Sequence, residues 1–264
     1  GSNNATLTIS PFPNINFGKR LKWLIRYPYG CLEQTTSALY PQLYLKKFIQ
    51  YPAAYADEID HNINSGIQRL RNFQRFSGNL SYWPYSEKVN DWANLYAGHF
   101  MVSAKELGYH IPDDLYENWL SYVKSQSRKS KGSILRRSYR VYVLALASKA
   151  SLSEMNILRE NHLKKMANVE KWLLAAAYKL AGQADVAKDI INSASTETGD
   201  YSAFNKSFGS SLRDKSLILE AAVVLEEFNT ADQLALHISK SISANTYYST
   251  HSLGTAISAL GKYV

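Results

Sequence analysis

Five stretches of this chain are apolar and rich in small residues around most of a helical circumference: 96–107, 141–150, 172–181, 217–225 and 253–260. A helix with apolar residues on every side leaves no face for water and has to be buried. Each stretch follows a more polar helical pattern. The alternation returns irregularly, on the order of every 30–45 residues, which is the length of a helix-pair repeat. Such a chain buries its apolar helices most simply in two concentric layers, with the apolar set inside. The expected fold is all-α, an α/α toroid of about twelve helices in about six hairpins, with an open α-solenoid as the competing arrangement.

The helical patterns run over about 16–27, 34–49, 58–75, 91–107, 113–127, 134–150, 152–161, 167–181, 183–195, 211–228, 230–243 and 249–263. Gly108, with Pro112 behind it, and Gly182 read as helix stops. Asp113, Ser153 and Thr230 read as N-caps. The start of the chain differs: Ala5-Thr6-Leu7-Thr8-Ile9 alternates like a short extended strand, and Pro11 and Pro13 end it. We therefore expect residues 1–15 to be a linker or the remnant of a preceding β domain, and 16–264 to be one helical domain. No run of about 18 apolar residues exists, so no transmembrane segment is expected.

The 30 Lys and Arg against 22 Asp and Glu leave a formal net charge of +8. The densest basic stretch, Arg128, Lys129, Lys131, Arg136, Arg137 and Arg140, reads as a solvated loop and helix start. A nucleic-acid surface brings interleaved aromatics or a known module, and neither is visible, so no nucleic-acid partner is expected. The adjacent pairs Asp113-Asp114 and Glu226-Glu227 point to different sides of a helix and read as solvated. No metal-ligand cluster stands out, so no metal site is expected. Both points count against the alternative reading of an α/α-toroid enzyme such as a glycosidase, which needs paired carboxylates or zinc at the toroid mouth.

The chain has one cysteine, Cys31, in the run Tyr27-Pro28-Tyr29-Gly30-Cys31-Leu32-Glu33-Gln34-Thr35-Thr36-Ser37. Pro28 and Gly30 break the preceding helical pattern into a tight turn. A new helix starts directly after it, with backbone N–H groups free. Cys31 and Gln34 stand three residues apart at that boundary, where a turn brings the sulfur near the Gln34 side-chain carbonyl. On residue types alone two roles stay open for Cys31. It is an inert buried small residue, as free cysteines often are, or it is a nucleophile at a helix start. The second needs a histidine base, and none of the six histidines sits in a recognisable partner motif. His99, on an apolar helix, reads as a satisfied core residue, and His110 as solvated.

The segment from Pro28 to Thr35 resembles the thioester signature of the alpha-2-macroglobulin and complement family, Gly-Cys-x-Glu-Gln, with leucine at the variable position as in the bacterial members. Trp83-Pro84, Asp91-Trp92, Tyr96-Ala97-Gly98-His99-Phe100, Leu107-Gly108-Tyr109, Ala181-Gly182-Gln183-Ala184 and Ser249-Thr250-His251-Ser252 extend the likeness over about 16–264. The resemblance implies the α/α toroid reached above from periodicity. It also implies an internal thioester between Cys31 and Gln34, formed with loss of ammonia and without a cofactor. Its role would be covalent, single-use trapping of target proteases through lysine amines rather than turnover; attachment to cell surfaces is an alternative use of the same bond.

Tyr27, Tyr29, Trp83 and Tyr85 are candidates for an aromatic cover over the thioester, with Pro28, Gly30 and Glu33 supporting the turn. Neighbouring domains of a longer protein would complete the cover, and the location would be secreted, periplasmic or cell-surface. Family members that favour hydroxyl targets use a downstream histidine, expected here between about 125 and 140. That stretch holds none, so direct aminolysis is the implied route.

Overall fold

The computed structural model describes residues 25–48, 53–199, 208–244 and 246–264. The short extended N-terminal segment within 1–15 and most of the helix expected at 16–27 lie outside the described residues. Among the described residues there are eleven α-helices. They are α1 (Leu32–Leu39), α2 (Ala53–Leu70), α3 (Asp91–Glu106), α4 (Asp113–Arg128), α5 (Ile134–Leu146), α6 (Leu152–His162), α7 (Asn168–Leu180), α8 (Ala184–Ile191), α9 (Ser211–Leu225), α10 (Phe228–Ser243) and α11 (Thr250–Tyr263). No strand occurs among these residues, only an isolated antiparallel bridge between Gln74 and Leu80. No helix among them is long and apolar enough to cross a membrane.

The odd-numbered helices form the inner layer. Each packs on the next, α1 on α3, then α5, α7, α9 and α11, and α11 returns to pack on α1. This return closes the ring and excludes the open solenoid. The even-numbered helices lie outside: α2 on α1, α4 on α3 and α5, α6 on α5 and α7, α8 on α7, and α10 on α9 and α11. The layering follows from composition. From Trp92 to Ala104 every residue of α3 is buried, whereas α4 buries one stripe, Leu115, Tyr116, Trp119, Leu120 and Val123 among it. Burying each large apolar side chain contributes about 1.5–3 kcal/mol, which drives the all-round apolar helices inward.

Small residues let the layers approach. A Cβ on Gly98 of α3 would stand 1.7 Å from Cζ2 of Trp119 on α4. Glycine there lets the indole lie flat against the inner backbone and donate from Nε1 to the Asn94 carbonyl at 3.2 Å.

Aromatic and polar side chains fill the interior of the ring. Trp92 stacks on Tyr139 at 4.7 Å, Tyr96 on His251 at 4.4 Å, and Tyr40 meets His99 edge-on at 5.3 Å. Glu220 of α9 is 3% exposed and is met by Tyr142 Oη at 2.8 Å, by His99 Nε2 at 2.8 Å and by the Lys262 ammonium. Burial alone would raise the Glu220 carboxyl, but His99 and Lys262 together hold it well below the usual carboxylate range. His99 is therefore the satisfied core residue expected, and His110 is exposed.

Several local expectations need correction. The helix expected over 34–49 is cut at Leu39, because Pro41 has no N–H to donate back and its ring crowds the preceding turn; the chain continues in two short 3₁₀ turns, Pro41–Leu43 and Leu45–Lys47. The N-caps are Pro112, Ser151 and Glu227, not Asp113, Ser153 and Thr230. The three expected residues lie inside the first turns of their helices, and α10 begins two residues before the hydrophobic period suggests. The basic stretch is not uniformly solvated. Arg137 and Arg140 are buried; Arg137 Nε meets Glu154 at 2.6 Å, and Arg140 Nη1 donates to the Lys131 carbonyl at 2.9 Å. Arg136 pairs with Asp91 at 2.6 Å. Much of the local charge is thus consumed within the fold.

Candidate functional site

The inner helices run parallel, so their N-terminal ends gather at one rim. Arg213 at the start of α9 lies over the Trp92 ring near the start of α3, 4.3 Å from its centroid. Trp92 Nε1 in turn donates to His251 Nε2 near the start of α11, at 2.9 Å. Cys31 sits at this rim as the residue before α1, in extended conformation with φ −72° and ψ 172°. Its side chain is 3% exposed, whereas Gln34, one turn on, is exposed. Free N–H groups and the helix dipole at such an end favour negative charge on a sulfur or an oxygen.

The turn is built so that Gln34 folds back over it. The Cys31 backbone N–H donates to Gln34 Oε1 at 3.2 Å. Gly30 makes room for this amide: its φ is +95°, and a Cβ there would lie 2.2 Å from Gln34 Oε1. Arg69 of α2 holds the turn from behind, donating from Nη2 to the Gly30 carbonyl at 3.2 Å. Pro28 is buried beneath it. Glu33, also buried, accepts from Ser37 Oγ at 2.7 Å and lies near Thr250 at the start of α11. Burial raises the Glu33 carboxyl above its ordinary value, against the opposing pull of Ser37, Thr250 and the Arg26 charge. Glu33 therefore sits where the first inner helix packs on the last.

The four aromatic candidates are spread around the rim. The rings of Tyr27 and Tyr29 lie 4.5 Å apart. Tyr29 and Tyr85 are 70% and 77% exposed, while Tyr27 and Trp83 show less surface. Sequence reasoning passed over a fifth aromatic, Tyr82, which lies beside the turn and whose phenol is raised above its ordinary value by burial first, and by Cys31 and Glu33 after it. Backbone bonds fix Tyr82 in place, since its carbonyl accepts from Leu32 N–H at 2.9 Å and its own N–H donates to the Lys88 carbonyl at 2.6 Å. Its ring stacks at 6.4 Å on Phe208, which stacks on His251 at 5.6 Å. The signal available was its adjacency to Trp83; nothing local distinguishes it from the other tyrosines.

The two histidines inside the ring are committed elsewhere. His99 is bonded to Tyr139 through Nδ1 at 3.0 Å and faces Glu220 through Nε2. His251 accepts from Trp92 through Nε2, and burial followed by the Arg213 charge pushes it down to about 3. Among the described residues, no group of three or more His, Cys, Asp and Glu side chains could hold a metal ion. Asp113, Asp114, Glu226 and Glu227 are exposed.

A family model described as the A-macroglobulin TED domain matches residues 8–141. The alpha-2-macroglobulin of Escherichia coli (strain K12) is 30% identical over 239 residues, covering 84% of this chain and 14% of the relative. Two solved structures share the fold. The E. coli alpha-2-macroglobulin activated by porcine elastase has a TM-score of 0.76 at 26% identity, over 95% of this chain and 24% of that one. The Salmonella alpha-2-macroglobulin reacted with methylamine has a TM-score of 0.77 at 25% identity, over 94% of this chain and 17% of that one. The chain therefore spans only a small part of the length of these relatives.

Proposed function

The chain belongs to the A-macroglobulin TED-domain family, and from that premise we propose that Cys31 and Gln34 condense into an internal thioester that traps proteases covalently through their lysine amines. One observation carries the reading: the Gln34 side-chain carbonyl is turned back onto residue 31, held by the Cys31 N–H at 3.2 Å over a glycine that leaves it room. Attack of the Cys31 sulfur on Gln34 Cδ, with ammonia leaving, forms the bond. Sulfur donates poorly into the carbonyl and departs as a thiolate, a better leaving group than an amine or alkoxide. A lysine amine then takes the acyl group, and Cys31 returns to a thiol. Each molecule reacts once, so the protein is a trap rather than an enzyme.

The relatives support this direction: one was solved after activation by a protease, another after reaction with an amine. Direct aminolysis fits the site, because His99 and His251 are held in bonds of their own. Residues 16–264 act in this reading as one thioester-containing domain, with 1–15 as a linker or remnant of a preceding domain. The exposed aromatics Tyr27, Tyr29, Trp83 and Tyr85 are the surface on which a neighbouring domain of a longer, secreted, periplasmic or surface protein completes the cover.

The test is intact mass with and without methylamine, together with thiol titration. The expected result is a mass one ammonia below the sequence value, no free thiol, and release of one thiol as methylamine adds. Cys31→Ala should show neither the deficit nor the addition. An unmodified mass, a thiol free from the outset and no methylamine uptake would overturn the reading.

A further inference from the structure

We propose that the Gly30–Cys31 peptide is the oxyanion donor of this site and that Arg69 is the residue that positions and polarises it. As an amine adds to Gln34 Cδ, the negative charge gathering on Oε1 is held by the Cys31 N–H, and the Arg69 guanidinium behind the same peptide strengthens that hold. The inference rests on the thioester reading above and deepens it by naming what stabilises the intermediate.

One planar amide is bonded on both of its edges. Its N–H, on Cys31, donates to Gln34 Oε1 at 3.2 Å. Its carbonyl, on Gly30, accepts from Arg69 Nη2 at 3.2 Å and more weakly from Thr35 Oγ1 at 3.5 Å. In a trans peptide these two groups point in opposite directions, so the cation lies on the far side of the amide from the Gln34 carbonyl. Drawing charge toward the Gly30 oxygen leaves the N–H more positive, the cooperative polarisation of a hydrogen-bond chain. The next peptide is held as firmly: Leu32 N–H donates to the Tyr82 carbonyl at 2.9 Å, and the Cys31 carbonyl accepts from Thr35 N–H at 2.8 Å. The Cys31 N–H is thus kept in place while the Gln34 carbonyl changes shape.

Arg69 is committed to this contact. Its guanidinium carbon lies 5.6 Å from the centroid of the Phe73 ring, which is fully buried. Its Nε is buried without a hydrogen-bond partner. None of the ion pairs among the described residues involves it. A cation with no carboxylate beside it keeps its field for the peptide it faces.

The step balances without a further reagent. The amine nitrogen bonds to Gln34 Cδ, and the carbonyl π pair moves onto Oε1. That pair returns, the C–S bond breaks, and its electrons stay on sulfur. The surplus proton of the nitrogen ends on the sulfur, leaving an amide at Gln34 and a thiol at Cys31. Formation of the bond passes through the same kind of oxyanion, with the Cys31 sulfur attacking and ammonia leaving with the thiol proton. A donor aimed at charge that grows only in the intermediate stabilises the transition state more than the ground state.

Arg69→Met keeps an unbranched side chain along Phe73 and removes the cation. Melting temperature and intact mass establish whether the variant is folded and carries the bond; if it does not fold, Arg69→Gln, neutral but still a donor, takes its place. Methylamine-released thiol and spontaneous hydrolysis are timed in wild type and variant. With the bond present in both, the two rates should fall by the same factor, about tenfold. This is less than the ~100–1,000-fold lost with an entire oxyanion donor, because the N–H remains. Unchanged or faster rates overturn the proposal. So does a fall in aminolysis alone, since both reactions pass through the oxyanion. Cys31 is the sole cysteine, so cysteine carrying an NMR-active backbone nitrogen gives a single amide resonance. After methylamine treatment of both proteins, the Cys31 amide proton should lie further upfield in the variant, whether or not the variant had formed the bond. A merely structural role predicts coincident resonances, and that result overturns the proposal. If wild type itself shows no mass deficit and no methylamine-released thiol, the thioester reading fails, and this inference falls with it by a result distinct from the others.

Discussion

The backbone N–H of Cys31 and the side-chain carbonyl of Gln34 are hydrogen-bonded at 3.2 Å across a turn that only glycine at position 30 accommodates. The bond folds the Gln34 amide back onto residue 31 and polarises its carbonyl in the direction that attack requires. The pair proposed to react is thus oriented by backbone geometry.

Gly30→Ala tests this orientation. The new Cβ would stand 2.2 Å from Gln34 Oε1 on a backbone with φ +95°, so the amide must swing away and the turn is strained by about 1–2 kcal/mol. The variant should fold with a small drop in melting temperature and lose methylamine-released thiol. Undiminished thiol release would show that the turn does not position Gln34.

Stability should fall as the solution is acidified, and His251 should be a principal cause. Its pKa is pushed down from 6.5 to about 3 in the folded chain, so the unfolded chain takes up the proton first. The contribution is complete above the unfolded value and is lost as pH falls from about 6.5 toward 3, at up to about 1.4 kcal/mol per pH unit. Urea unfolding across that range should show a shallower slope for His251→Gln. Parallel slopes would place the acid sensitivity in other groups.

Gly98→Ala should cost about 1–3 kcal/mol, because the added methyl meets the Trp119 indole and the layers must part. Trp119 fluorescence should shift with the loss, since its Nε1 bond to the Asn94 carbonyl is stretched by the same movement. A neutral effect in chemical denaturation would mean that Trp119 turns aside freely.

Arg137→Ala leaves Glu154 buried without its guanidinium partner and should destabilise the chain by about 3–5 kcal/mol, whereas replacing both partners by apolar residues should recover much of the loss. A double-mutant cycle by thermal or urea unfolding measures the coupling. Additive losses would show that the pair contributes nothing as a pair.

Much of the architecture was legible from local pattern. The inner helices announced themselves because a segment apolar around its whole circumference has no stable exposed position, and Gly108 and Gly182 marked helix ends, with φ +88° and +77°. The run from Gly30 to Gln34 was legible because its members are neighbours in the chain and a turn at Pro28 and Gly30 is a local event. Pro41 was equally local and was passed over: the apolar residues around it kept the helical period, while the missing N–H ended the helix.

What periodicity could not supply was every relationship that spans the ring. Closure of α11 on α1 brings Thr250 near Glu33, and the loop after α2 carries Tyr82 to the Leu32 N–H beside Cys31. The same long-range packing buries Arg137 against Glu154 rather than leaving it in water. Short-range pattern determines which faces must be buried, because burial energy depends on the residues of one element. Which partner buries them depends on the paths of segments dozens of residues apart, and only the folded ring decides that.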